Sequence, residues 1–203
     1  MQYEQIIVDL NNPFVSEEEV DQVIQLGKQL PLKGVKIAPY WVKKVARELQ
    51  DKEVIIQSNA GSLHGEDLTQ IKVFAMKELI KMGAHEVIST LNVGALRTNT
   101  GWCKIECLQL SETAHQQEVL HTLRIPNTAL EKEEFNQVIN IGHQTGIDSL
   151  IIQEIHLDHI DFIKKNLSEN IELSIQTSNK EIYEKQLKTQ FETVILSSDL
   201  LNS

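Results

Sequence analysis

Short runs of β-branched and apolar residues alternate with stretches of helical period along the whole chain. The runs read QIIVD (5–9), GVKI (34–37), EVIIQS (53–58), EVISTL (86–91), VLHTLRI (119–125), SLIIQ (149–153), IELSIQ (171–176) and TVILS (193–197). Most are apolar on both parities, the pattern of parallel strands buried on both faces. Between them the spacing predicts helices. Ser16 and Glu19 form a capping box ahead of Val20, Val23, Ile24 and Leu30 at helical spacing. Pro39 suits the first turn of a second helix. A third helix, over 68–82, carries Leu68, Ile71, Ala75, Leu79 and Met82 on one face and stops at Gly83. NVGALRTNTG (92–101) reads as a loop, followed by a helix over 102–116. Thr128 and Glu131 suggest a second capping box, for a helix that closes at Gly146. Ile160, Ile163 and Leu167 mark another, and a last one starts near Ser178 or Asn179. Little chain is left for a helix after the eighth strand.

Each strand-plus-helix unit takes roughly 25 residues, close to the minimum for a (β/α)8 TIM barrel. We therefore expect a small single-domain α/β barrel over 1–203, with an open doubly wound sheet as the competing architecture. In a barrel, chemistry belongs at the C-terminal ends of the strands. Side chains alternate at period two. If Ile151 points inward, Asp9, Lys36, Ser58, Ile88, Thr90, Thr122, Arg124, Ser174 and Gln176 are expected to share the interior.

Charge narrows the class. With 29 acidic against 19 basic side chains the net charge is −10, which argues against nucleic acid as a partner. MQYEQIIVDL has no basic leader followed by an apolar stretch, and no run reaches the length of a membrane span. The expectation is a cytoplasmic protein with no membrane contact. Cys103 and Cys107, four apart on a helix, read as a buried pair in a reducing compartment.

Three motifs add a resemblance. GVKIAPYWV (34–42), GSLHG with the helix leading to MGAHEV (61–87), and LNVGAL (91–96) resemble, in order and spacing, the deoxyribose-phosphate aldolases. A weaker register extends from Asp9 to Ser198. The resemblance implies a TIM barrel and class I aldol cleavage of 2-deoxyribose 5-phosphate. A strand-six lysine forms the Schiff base, a strand-seven lysine lowers its pKa, a strand-four aspartate relays protons, and glycine turns after strands seven and eight hold the phosphate. It also implies no cofactor, a small phosphorylated sugar or aldehyde as ligand, and association as a homodimer.

Here the chain departs from the family. The imine lysine falls on Ile151, the second lysine on Gln176 and the aspartate on Ile88. The phosphate turns fall on Ser178-Asn179-Lys180 and Leu196-Ser197-Ser198, both without their glycines. Asp9 and Asn92 match. No lysine lies between Lys132 and Lys164, where strand six must run. The expected function is thus that of a divergent, non-catalytic homologue in carbohydrate metabolism, a pseudoenzyme that binds a metabolite or a partner. The alternative is a lyase acting on a small phosphorylated carbonyl compound.

For that alternative, Lys36 is the candidate relocated nucleophile, with Asp9 and Asn92 beside it as candidate catalytic groups. A structural ion pair between Lys36 and Asp9 is the competing reading. Arg124, Ser178, Ser197 and Ser198 are candidate phosphate ligands. No metal is expected. Glu154, His156 and His159 are weak candidates for a metal-assisted site, and solvated loop positions explain them as well.

Overall fold

The structure, a computed structural model, describes residues 3–183 and 191–198. Eight parallel strands close into a barrel in sequence order. They are β1 (Ile6–Leu10), β2 (Gly34–Ile37), β3 (Ile55–Asn59), β4 (Glu86–Thr90), β5 (Leu120–Arg124), β6 (Ser149–Gln153), β7 (Glu172–Thr177) and β8 (Thr193–Ser197). Closure is made by β1 against β8, with Ile7 opposite Ile195 and Asp9 opposite Ser197. The open-sheet alternative is excluded.

The helices are α1 (Glu17–Gln29), α2 (Val42–Glu48), α3 (Thr69–Lys81), α4 (Val93–Thr98), α5 (Thr100–His115), α6 (Lys132–Thr145) and α7 (Ile160–Asn166), with a short helical start at Lys180–Ile182. Among the described residues none is long and apolar enough to cross a membrane. The helix expected to start near Ser178 or Asn179 begins at Lys180, and residues 184–190 and 199–203 lie outside the described residues. Ser16 caps α1 as expected, exchanging bonds with Glu19. Gly83 (φ +100°) and Gly146 (φ +70°) end α3 and α6 in the left-handed conformation.

Four expectations are corrected. The loop at 92–101 holds α4, because Asn92 accepts a bond from the Ala95 N–H and Asn99 one from the Gly101 N–H, starting two helices in succession. The capping box of α6 is made by Glu131 and Glu134, one turn later than Thr128. On α3 the buried residues are Lys72, Met76 and Leu79, while Leu68 and Ile71 face outward. Ser58 is in register with Val87 on the outer parity and donates to the Ile37 carbonyl. Gln57 and Asn59, in register with Glu86 and Ile88, are the inward residues of β3.

The barrel interior is layered. Ile7, Ile88, Ile151 and Ile195 form an apolar cluster of their own, separate from the main core between strands and helices. Toward the N-terminal end, Lys33 pairs with Glu172 at 2.8 Å, Thr193 bonds both, and Thr122 donates to the buried Glu86. Toward the C-terminal end lie the groups described next. Cys103 and Cys107 are buried free thiols; burial raises both pKa values, Cys103 to about 11.

Candidate functional site at the barrel mouth

Adjacent inward positions of β1 and β2 bring Asp9 opposite Lys36. Lys36 Nζ donates to Asp9 Oδ2 and to Gln176 Oε1, each at 3.2 Å, and Gln176 Nε2 donates to Asp9 Oδ2 at 2.7 Å. Arg124 Nε reaches the same Gln176 oxygen at 3.1 Å, and Gln153 Nε2 reaches it at 3.3 Å. Gln176 thus joins two cations and a carboxylate into one network. The Lys36 side chain is only 1% exposed. Burial lowers its pKa first, Asp9 opposes that shift, and the Arg124 charge adds to it. Burial also lowers the pKa of Arg124, with Asp9 again opposing. One carboxylate therefore stands against two cations.

The loop after β3 closes one side of the mouth. Arg124 Nη1 donates to the Leu63 carbonyl at 2.9 Å. Gly65 (φ +80°) presses so close that a Cβ there would lie 2.6 Å from the Thr90 and Leu91 carbonyl oxygens. Lys72 anchors the loop from beneath. Its Nζ donates to the Gly65 and Thr90 carbonyls and pairs with Glu106 on α5 at 2.6 Å. Sequence reasoning passed over Lys72 because a helical lysine is normally solvated. The signal was its place on the same face as Met76 and Leu79, at i+4 and i+7.

Next to the loop, Asn59 and Thr90 are inward and buried. Among the described residues neither the Asn59 amide atoms nor the Thr90 hydroxyl finds a hydrogen-bond partner. On the opposite side a pocket of about 190 Å³ opens between the ends of β1, β6, β7 and β8. It is lined by Asp9, Gln153, Glu154, Gln176, Ser178 and Ser197, with Asn127 and Thr177 completing it. Its lining thus offers amides, hydroxyls and two acidic side chains. Phe14, Tyr40, Leu63 and Ile155, on the loops after β1, β2, β3 and β6, are all exposed.

The site residues expected from sequence divide accordingly. Asp9, Lys36, Gln176 and Arg124 come together, and Ser178 and Ser197 line the adjoining pocket. Ser198 follows β8 and is outside that lining. Asn92 is occupied in capping α4. Ile88 and Ile151 pack in the apolar layer. His156 is buried: its Nδ1 accepts from the Gln153 N–H and its Nε2 bonds the Thr128 carbonyl. His159 packs its ring against Phe135, and Glu154 bonds Thr177. Residues 154–159 form a 3-10 helix in which His156 is buried while Ile155 and Asp158 stay exposed, as expected of solvated positions. Among the described residues no three His, Cys, Asp or Glu side chains are arranged to hold a metal ion.

A closed (β/α)8 barrel with ionisable groups at the C-terminal mouth has the layout of barrel enzymes and their relatives. The comparisons narrow this class. No family model matches the chain. Deoxyribose-phosphate aldolase of Bacillus cytotoxicus is 39% identical over 85 residues, 42% of this chain and 38% of that protein. The Streptococcus suis enzyme is 24% identical over 136 residues, covering 67% and 61%. The matches thus span about two fifths to three fifths of these relatives' lengths. Among solved structures, an aldolase superposes with TM-score 0.86 at 19% identity, covering 98% of this chain and 92% of that one. Tetrameric deoxyribose phosphate aldolase from Aeropyrum pernix superposes with TM-score 0.84 at 10% identity, covering 96% and 86%. The chain is similar to the deoxyribose-phosphate aldolases over part of its sequence and shares their fold.

Proposed function

We propose that this barrel is a non-catalytic relative of the aldolases that binds a small polar metabolite at its mouth. The observation that carries this reading is the apolar layer. The positions matched to the family's imine lysine and proton-relaying aspartate are Ile151 and Ile88, packed against each other with Ile7 and Ile195. Losing both charges together leaves no buried ion without its counterpart. Binding is supported by the 190 Å³ pocket and by the unpartnered Asn59 and Thr90 groups, since buried polar atoms are normally satisfied.

A second reading keeps a lyase, with Lys36 as nucleophile toward a small phosphorylated carbonyl compound. What favours it is the direction of the Lys36 pKa: burial and Arg124 push the amine toward its neutral form. Against it stands the amine's closed contact with Asp9 and Gln176. The metal-assisted version at Glu154–His159 has less support, because both ring nitrogens of His156 are engaged by the backbone.

Incubation with deoxyribose 5-phosphate, or with acetaldehyde, followed by borohydride and intact-mass spectrometry separates the readings. The binding reading expects no added mass, together with a thermal shift on adding small phosphorylated sugars. An adduct on the wild type that disappears in Lys36→Ala would replace it with the lyase reading.

A further inference from the structure

We infer that the barrel mouth takes a small hydroxylated carboxylate, a sugar acid, whose acid group is held by Asn59, Thr90 and Arg124 beneath the loop at 60–68. This rests on the binding reading proposed above and names the class of its ligand.

The last inward residue of each of the eight strands is polar. On β3, β4 and β5 these residues are Asn59, Thr90 and Arg124. The three strands are successive in the barrel wall, with Thr90 in register with Arg124. All three residues are more than nine-tenths buried, at 3%, 1% and 7% exposed. The loop roofs them. It leaves β3 directly after Asn59, Gly65 lies against the Thr90 carbonyl, and the Leu63 carbonyl sits on Arg124. Under that roof, among the described residues, both Asn59 amide atoms and the Thr90 hydroxyl lack a hydrogen-bond partner. Leaving a buried amide and hydroxyl unpaired destabilises the free protein, and a ligand that pairs them binds the more tightly.

Charge gives the sign of that ligand. Asp9 is the carboxylate bonded into the network that holds Lys36 and Arg124. One positive charge is left over in a buried place, and a buried charge calls for a partner. Arg124 gives one N–H to Gln176 and another to the Leu63 carbonyl. A guanidinium has five N–H groups and grips a planar carboxylate with two at once. A single negative charge balances the excess. A phosphate monoester brings nearly two, and Glu154 across the mouth repels the second.

The rest of the ligand follows from the adjoining pocket of about 190 Å³. Gln176 belongs both to its wall and to the Arg124 contact, so the two places are continuous. Amides, hydroxyls and two carboxylates line the pocket, with no lysine or arginine. Such a wall donates to and accepts from alcohol groups and disfavours a further anion. An acid group at one end and hydroxyls along a short chain therefore match both halves of the mouth.

Calorimetric titration of the full chain with D-ribonate and with ribitol, the matched polyol without the acid group, tests the inference. Ribonate is expected to bind at least about tenfold more tightly than ribitol. Thr90→Val and Asn59→Leu each remove an unpaired polar group. Both are expected to melt no lower than the wild type without ligand, yet to bind ribonate about tenfold more weakly. Equal affinity for ribonate and ribitol, or variants that bind ribonate as the wild type does, overturns the inference. If either variant fails to fold, the wild-type comparison of the two ligands decides alone. Deoxyribose 5-phosphate separates this inference from the reading beneath it. Saturable binding of that ester or of ribitol, with no preference for ribonate, overturns the carboxylate site and leaves the binding function standing. No binding of any of the three overturns both.

Discussion

At the scale of single residues, buried ionisable groups give the barrel its sensitivity to substitution and pH. Asp9 balances Lys36 and Arg124, so Asp9→Asn leaves two buried cations uncompensated and should cost about 3–5 kcal/mol. Adding Lys36→Met removes one of them, and the double variant should be more stable than Asp9→Asn alone. Urea unfolding of the three proteins measures both differences. His121 is buried between Ser89 and Ser111, which bond its two ring nitrogens at 2.8 Å each. Burial pushes its pKa down to about 3. The folded state therefore binds fewer protons than the unfolded chain between pH 6.5 and about 3. This stabilisation is complete above pH 6.5 and is lost as pH falls through that window, so acid titration of stability should flatten in a folded His121→Gln variant. Glu86 acts in the opposite sense. Burial raises its pKa, so its contribution is present below the unfolded value of 4.5 and is lost as pH rises through the folded value. Glu86→Gln should raise stability at neutral pH and have little effect below pH 4; thermal melts across pH would show a constant offset if this is wrong.

At the scale of elements, strands were the easiest part to read and helix faces the hardest. Consecutive Ile, Val and Leu in 149–153 and 193–197 have no helical alternative of the right length, and both strands fall at those bounds. The pattern fails where a polar residue does a buried job. Lys72 turns α3 by placing an ammonium under the loop at 60–68, which exposes Leu68 and Ile71. α4 escaped notice because Gly94, Thr98 and Asn99 look like a loop until the Asn92 and Asn99 side chains are seen as caps. Ser58 is expected to share the inward parity of Lys36, but β3 pairs Gln57 opposite Lys36, so Gln57 and Asn59 point inward instead; the parity of a strand is only as good as its register. The Asp9–Lys36 pair was legible, since two charged residues at inward positions of neighbouring strands need each other. Gln176 as their bridge was not legible, because an amide carries no obligatory partner in sequence. The loop gives this scale its prediction. Gly65→Ala adds a Cβ against two carbonyls at a left-handed φ, and should cost well above the roughly 1 kcal/mol of an unstrained glycine replacement. It should also loosen the Arg124–Leu63 contact, read as faster amide exchange across 60–68 with β7 unchanged.

At the scale of the whole molecule, the interior reads as polar, apolar, polar from one end of the barrel to the other. The isoleucine layer isolates the Glu86–Thr122 and Lys33–Glu172 groups from the Asp9–Lys36 network, so each polar set must satisfy itself. This arrangement predicts how hard it is to introduce a lysine and an aspartate into that layer. Ile151→Lys alone would place an ammonium among Ile7, Ile88 and Ile195 with no carboxylate in that layer, and should destabilise the barrel by several kcal/mol. Ile88→Asp alone does the same with the opposite charge. The two together supply each other's counter-ion across the cluster, so the double variant should lose less than the sum of the singles, a coupling of about 1–3 kcal/mol in a double-mutant cycle. Strict additivity of the two losses would show that positions 88 and 151 do not share one layer. It would also remove the physical reason for reading their two isoleucines as a joint replacement of a lysine and an aspartate.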